Sequence, residues 1–95
     1  MAMEIVWDPI KEAKLKLERG IDLDEIKRLI ENEKHIEILE HPKRLGQGLV
    51  ILEYKSYIHL VPVKIESGKM IIKTCYPSRQ ANKKYKGNKS EKNNS

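Results

Sequence analysis

LVILEYKSYIHLVPVKIESGKMIIKTCY, residues 49–76, is the stretch that decides the fold. Leu49 to Tyr54 is a nearly continuous apolar run of strand length, as expected of a central strand. Lys55-Ser56 reads as a tight turn. From Tyr57 to Ile65 the apolar period is two, so Tyr57, His59, Val61, Val63 and Ile65 share one face. Pro62 has no N–H for a sheet ladder, which predicts an edge position or a bulge for this strand. Ser67-Gly68 is a second hairpin turn. Lys69 to Tyr76 is a last strand, whose alternation puts Ile71, Lys73 and Cys75 on one face and Met70, Ile72, Thr74 and Tyr76 on the other. Such short links imply antiparallel pairing.

Upstream, the period lengthens to that of a helix. Asp8 is a good N-cap and Pro9 fits the first helical position, where its missing N–H costs nothing. Ile10, Ala13 and Leu17 recur on one face, with Lys11, Lys14 and Glu18 on the other side, and Gly20 stops the helix. Asp22 caps a second helix and Glu25 completes a capping-box pattern. Leu23, Ile26, Leu29 and Ile30 form its apolar stripe. Ile36 and Ile38, separated by Glu37, read as a first strand that ends at His41-Pro42, and Gly46-Gln47-Gly48 is a loop. Met3 to Trp7 is a short apolar lead into the first helix. Downstream, Pro77 and Ser78 open a very basic segment in which Ala81 and Tyr85, four apart, share a helical face. The fold class expected is α+β: two N-terminal helices on an antiparallel sheet of about four strands, then a short basic helix. One domain over residues 1–86 and a disordered polar tail over 87–95 complete the expected organisation.

Composition narrows the function. With 95 residues, 39% hydrophobic and 35% charged, the chain suits one folded domain with a charged surface. It contains no apolar run of the roughly 20 residues a membrane helix needs and no secretory leader pattern, so no membrane partner and a cytoplasmic location are expected. The single cysteine, Cys75, fits a reducing compartment. Charge is uneven. Residues 1–68 carry 11 Lys and Arg against 13 Asp and Glu, whereas residues 69–95 carry eight against one. A field concentrated at one end points to phosphate or to an acidic partner.

Motifs for the commoner chemistries are missing. There is no phosphate-binding glycine loop, no HExxH pair, and no ligand spacing among His35, His41 and His59, so neither metal nor cofactor is expected. What remains is the basic end: Lys73 within an apolar strand, then Arg79, Lys83 and Lys84, flanked by Tyr76 and Tyr85. Lys and Arg neutralise phosphates, and neighbouring tyrosines stack on single-stranded bases. The same pattern fits a solvated Lys-rich helix packed by Tyr85, or a dock for an acidic protein. If RNA is cut here, the 2′-hydroxyl can attack the adjacent phosphorus without a metal. Arg and Lys would then stabilise the charge that develops, and a His or Tyr such as His59 would help move protons.

Trp7-Asp8-Pro9 with Lys11, then Leu17-Glu18-Arg19-Gly20-Ile21, resembles the opening of BrnT-like toxins. Ser78-Arg79-Gln80-Ala81 followed by Lys83-Lys84-Tyr85 resembles their close. The likeness spans about residues 3–86. It implies a RelE-like fold and a metal-independent endoribonuclease of a toxin–antitoxin pair. The implied partners are mRNA as substrate, a cognate DNA-binding antitoxin as inhibitor, and operator DNA met only through the antitoxin complex. It further implies Arg79 and Lys73 as active residues, Tyr85 as a helper, and Lys83, Lys84, Tyr76 and Ser78 as RNA contacts. Trp7 and Asp8 are assigned to packing and capping. Two departures stand out: no acid lies between Ala81 and Tyr85, and residues 41–48 do not follow the family loop. A binding module that cuts nothing, or a regulatory protein that docks an antitoxin, is the alternative.

Overall fold

Two tight hairpins build the centre of the sheet. In the computed structural model, which describes residues 3–87, strand β3 (Gln47–Tyr54) turns through Lys55-Ser56 into β4 (Tyr57–Glu66). Strand β4 turns through Ser67-Gly68 into β5 (Lys69–Ile72). Both residues of each turn have positive φ, the mirror-type turn whose twist matches that of the strands it joins. Before them come β1 (Glu4–Trp7), α1 (Pro9–Arg19), α2 (Leu23–Glu31) and β2 (Glu37–Glu40). After them come β6 (Tyr76–Pro77) and α3 (Arg79–Asn82), which widens into a π-type turn over Lys83–Gly87. The fold is α+β, with three helices and one mixed sheet in the order β1-β5-β4-β3-β2, β6 pairing with β4. Of the tail expected over residues 87–95, Gly87 instead closes the π-type turn, and residues 88–95 lie outside the described residues.

The helices are capped as their sequences dictate. Asp8 Oδ1 accepts from the Ile10 N–H at 2.8 Å, and Pro9 takes the first turn. Gly20, at φ 65°, ends α1 with its N–H on Lys16 and the Ile21 N–H on Leu15, satisfying two orphan carbonyls. Asp22 caps α2 through the Asp24 N–H at 2.9 Å. The capping box is completed differently from expectation. The Asp22 N–H donates to the hydroxyl of Tyr54 at 3.0 Å, so a sheet residue takes the part foreseen for Glu25. Leu23, Ile26 and Ile30 of α2 and Leu15 of α1 are buried against Val50, Leu52, Val61, Val63, Met70, Ile72 and Cys75, with Trp7 packed at the margin.

Four expectations need correction. First, residues 4–7 are not a lead but a strand, paired in parallel with β5 from Glu4–Lys69 to Trp7–Ile72, so the sheet is mixed with six strands, not antiparallel with four. Second, the Ile10, Ala13 and Leu17 face of α1 points outward, with Ile10 76% and Leu17 88% exposed, and Leu15 is the residue α1 buries. Third, β4 lies in the middle of the sheet, not at an edge. Nor is β4 itself bulged at Pro62, the other outcome expected; it runs unbroken, and the bulge is in the segment that faces it. Val63 pairs with Ile72 and Leu60 with Tyr76, so one extra residue is fitted in over residues 73–75. Fourth, that extra residue breaks the alternation of the last strand. Cys75 joins Met70 and Ile72 in the core, and Tyr76 moves to the face of Leu60.

Candidate nucleic-acid interface on the open face of the sheet

One face of the sheet is covered by α1 and α2. The other is covered only at one end, by α3 and the turn after it. Ser78 is the N-cap of α3, its hydroxyl accepting from the Ala81 N–H at 3.1 Å. The Ser78 N–H donates to the Ile58 carbonyl at 3.0 Å, and Asn82 Oδ1 accepts from the Ile58 N–H at 3.1 Å. Both backbone groups at the start of β4 are thereby satisfied, and Ile58 is fully buried. The Tyr85 hydroxyl donates to Glu37 Oε2 at 2.7 Å, and Lys86 Nζ reaches Glu53 at 3.2 Å and the Ser56 carbonyl at 2.7 Å.

Beyond α3 the face is open. Register defines two ranks of side chains across it: Leu39, Leu49, Pro62 and Lys73, then Glu37, Ile51, Leu60 and Tyr76. The first rank floors a groove of about 320 Å³ whose walls include His41, Gln47, Lys64 and Lys73. The floor is apolar, and the rim carries Lys64 and Lys73 together with one acid, Glu40. Lys73 is exposed and makes no ion pair with a described residue, while Lys64 pairs with Glu66 at 3.4 Å on the surface, a contact worth little.

The bulge is what presents Lys73. Its N–H donates to the Pro62 carbonyl at 2.9 Å. Pro62 has no N–H to return, so the Lys73 carbonyl is taken instead by Lys11 Nζ from α1 at 3.1 Å. With the bulge between them, Lys73 and Tyr76 share the open face although only two residues separate them, a spacing that regular alternation would put on opposite faces.

The other predicted residues distribute as follows. Arg79 is the first residue of α3, exposed and without an ion pair to a described residue, but it does not line the groove. Lys83 and Lys84 are exposed on the turn after α3, with Lys84 Nζ 5.4 Å from the Tyr85 ring centroid. Tyr76 is half-buried on the open face and Ser78 is committed to its cap. The hydrogen bond to Glu37, then burial and that carboxylate's charge, push the Tyr85 hydroxyl above its ordinary pKa, so it stays protonated. His59 is buried on the helix-covered face, with Nδ1 2.9 Å from the Tyr57 carbonyl and its ring edge-on to Tyr54 and Tyr57. It therefore does not meet Lys73.

Three residues on this face were not singled out from the sequence. Glu37 was read only as the polar half of an alternation. Lys64 was passed over as a surface lysine. His41 was read as the end of a strand, yet it lines the groove, and its Nδ1 accepts from the Lys43 and Arg44 N–H groups at 3.1 Å each. In the neutral ring those bonds fix the proton on Nε2. The Glu37 signal was available: an acid at the same strand parity as Leu39, on the first strand. Register across three strands was not.

Among the described residues no helix is long and apolar enough to cross a membrane, and no group of three His, Cys, Asp or Glu side chains is placed to hold a metal. Comparisons with family models, with curated proteins and with solved structures find no match to this chain.

Proposed function

We propose that this protein is a metal-independent endoribonuclease of the BrnT-like kind, with a RelE-like arrangement, acting on mRNA and held in check by a cognate antitoxin. The observation that carries the reading is Lys73: an unpaired ammonium set by a bulge at the wall of an open groove with an apolar floor. A base can lie on Leu39, Leu49 and Pro62 or stack on Tyr76, while the adjoining phosphate takes the charge of Lys73. Arg79, Lys83 and Lys84 extend the positive field along α3 and hold the strand.

In the reaction, the 2′-oxygen attacks the neighbouring phosphorus, forming a cyclic phosphate and releasing the 5′-oxygen. Lys73 stabilises the added charge on the phosphoryl oxygens, and Arg79, outside the groove on α3, adds to the field that holds the strand. Glu37 is the carboxylate on this face suited to accept a proton, and Tyr85, kept protonated against it, is the group suited to give one. The His41 Nε2–H is a further donor at the rim.

The test is expression without a partner, which should arrest growth. Lys73→Ala should relieve the arrest while melting like wild type and cut the cleavage rate about 100-fold or more, as loss of a transition-state donor does, and Arg79→Ala should relieve it by weakening the hold on RNA. Purified wild-type protein that leaves RNA intact would end the nuclease reading. The second reading, a module that binds RNA without cutting it, draws support from the histidines. His59 is on the wrong face and the single His41 Nδ1 lone pair is shared by two backbone N–H groups, which leaves Glu37 as the one proton acceptor assigned at the groove.

A further inference from the structure

We infer that a second phosphate subsite lies on the far side of the β5–β6 bulge, between the bulge and α1, and binds a flanking phosphodiester of the same RNA strand. This rests on the RNA reading of the open groove, though not on cleavage. The site is a pocket of about 200 Å³ whose walls include Lys11, Lys14, Arg19 and the Thr74 side of the bulge. The spacing of the cations is helical. Residues 11, 14 and 18 and residues 15 and 19 lie on adjacent rows of α1, so Lys11, Lys14 and Arg19 face the same cleft as Leu15. Glu18 is the one acid there, and no ion pair forms between it and Lys14 or Arg19. Three cations thus share a concavity with one carboxylate and remain unneutralised. Lys11 Nζ is held by the Lys73 carbonyl at 3.1 Å, which fixes the ammonium at the mouth with further protons free to donate. Thr74 adds a hydroxyl. This combination suits a tetrahedral oxyanion.

The two cationic sites are joined through one residue. The Lys73 side chain stands on the open face, and its carbonyl touches the pocket's Lys11. Strand β1 ends at Trp7, opposite Ile72, so residues 73–75 have no strand outside them and form the border of the sheet there. A single strand leaving the groove can pass over that border without crossing the covered face. A dinucleotide is too short to fill both sites.

The experiment measures binding of a labelled, cleavage-resistant 2′-methoxy oligonucleotide and of the corresponding dinucleotide across a salt series, for wild type and for Lys14→Ala/Arg19→Ala. Both residues are exposed, so the fold should persist, and thermal melting checks it. Each lost phosphate contact lowers the salt slope by about 0.7 for a single strand. The double variant empties one phosphate subsite, so it should lose about 0.7 from the slope for the long oligonucleotide and nothing for the dinucleotide, and Lys14→Arg should keep the wild-type slope. An unchanged slope for the long strand overturns the subsite. So does an equal loss for both ligands, which would place these residues in the groove itself. If wild-type protein fails to cut unmodified RNA while the slopes fall as expected, the subsite stands and the nuclease reading falls. If wild type binds neither ligand, both fall.

Discussion

A proline in the middle strand of a sheet removes one ladder donor, and at Pro62 the donor removed is the one that would have bonded the Lys73 carbonyl, while the Pro62 carbonyl still accepts from the Lys73 N–H. That proline is plain in the sequence, but neither outcome expected of its strand holds, since the bulge that accommodates it is in the facing segment. Strand β4 is interior because β3 and β5 pair with it on its two sides. The face of Lys73 followed from alternation, and the faces of Cys75 and Tyr76 did not, because the extra residue lies between them. Cys75 shows the outcome chemically. Burial in the core pushes its thiol up to about 12, against a smaller opposing pull from Arg19. A thiol whose folded pKa is raised stays neutral where the unfolded chain ionises. Its contribution to stability is therefore complete below pH 9.0 and is lost as pH rises from there toward 12. Native protein at pH 8 should resist alkylation by iodoacetamide, whereas the urea-unfolded chain should react within minutes; rapid labelling of the native form would contradict the buried placement.

At the level of elements, the second helix was the most legible. Its stripe of Leu23, Ile26, Leu29 and Ile30 is the face it buries, because a strongly amphipathic helix has one way to meet a sheet. The first helix misled. Ile10 and Leu17 are larger than Ala13 and repeat at helical spacing, yet a single buried leucine, Leu15, and the cap geometry at either end fix its orientation. With Lys11 tied to the bulge, the helix cannot turn its apolar stripe inward without losing that contact. The Asp22–Tyr54 bond was invisible from sequence, since it joins a helix start to a hairpin 32 positions away. It also gives a clean test. Tyr54→Phe keeps the ring in the core and strands a half-buried N–H, which should lower stability by about 1–3 kcal/mol in urea unfolding with an unchanged m-value. A loss below that range would mean water replaces the hydroxyl. The basic third helix was foreseen over two turns, but only Arg79–Asn82 is α-helical. The wider turn that follows carries Tyr85, whose hydroxyl reaches Glu37.

For the whole molecule, the uneven charge along the chain was a fair guide to one cationic region and an incomplete one. The groove borrows Lys64 and His41 from the acidic two thirds, and the α1 pocket is built wholly there apart from Thr74. Sequence separation hid both, since they are assembled by strand order. That order also depends on the strand the sequence reading passed over. Deleting residues 1–7 should remove the buried Ile5 and the half-buried Trp7 and bare the outer side of β5. Burial of one such aliphatic side chain is worth about 1.5–3 kcal/mol, a large share of the roughly 5–15 kcal/mol that holds a small domain together. The truncated chain should lose its cooperative thermal transition, and a sharp melt at the wild-type temperature would show β1 to be dispensable. In synthesis, the parallel pairing of Glu4 with Lys69 sets a timetable. The first ribbon made has no mate until residues 69–72 leave the ribosome, and the bulge that aims Lys73 comes later still. A half-made chain therefore lacks the open face that presents Lys73, which is complete only once residues up to Tyr76 have emerged.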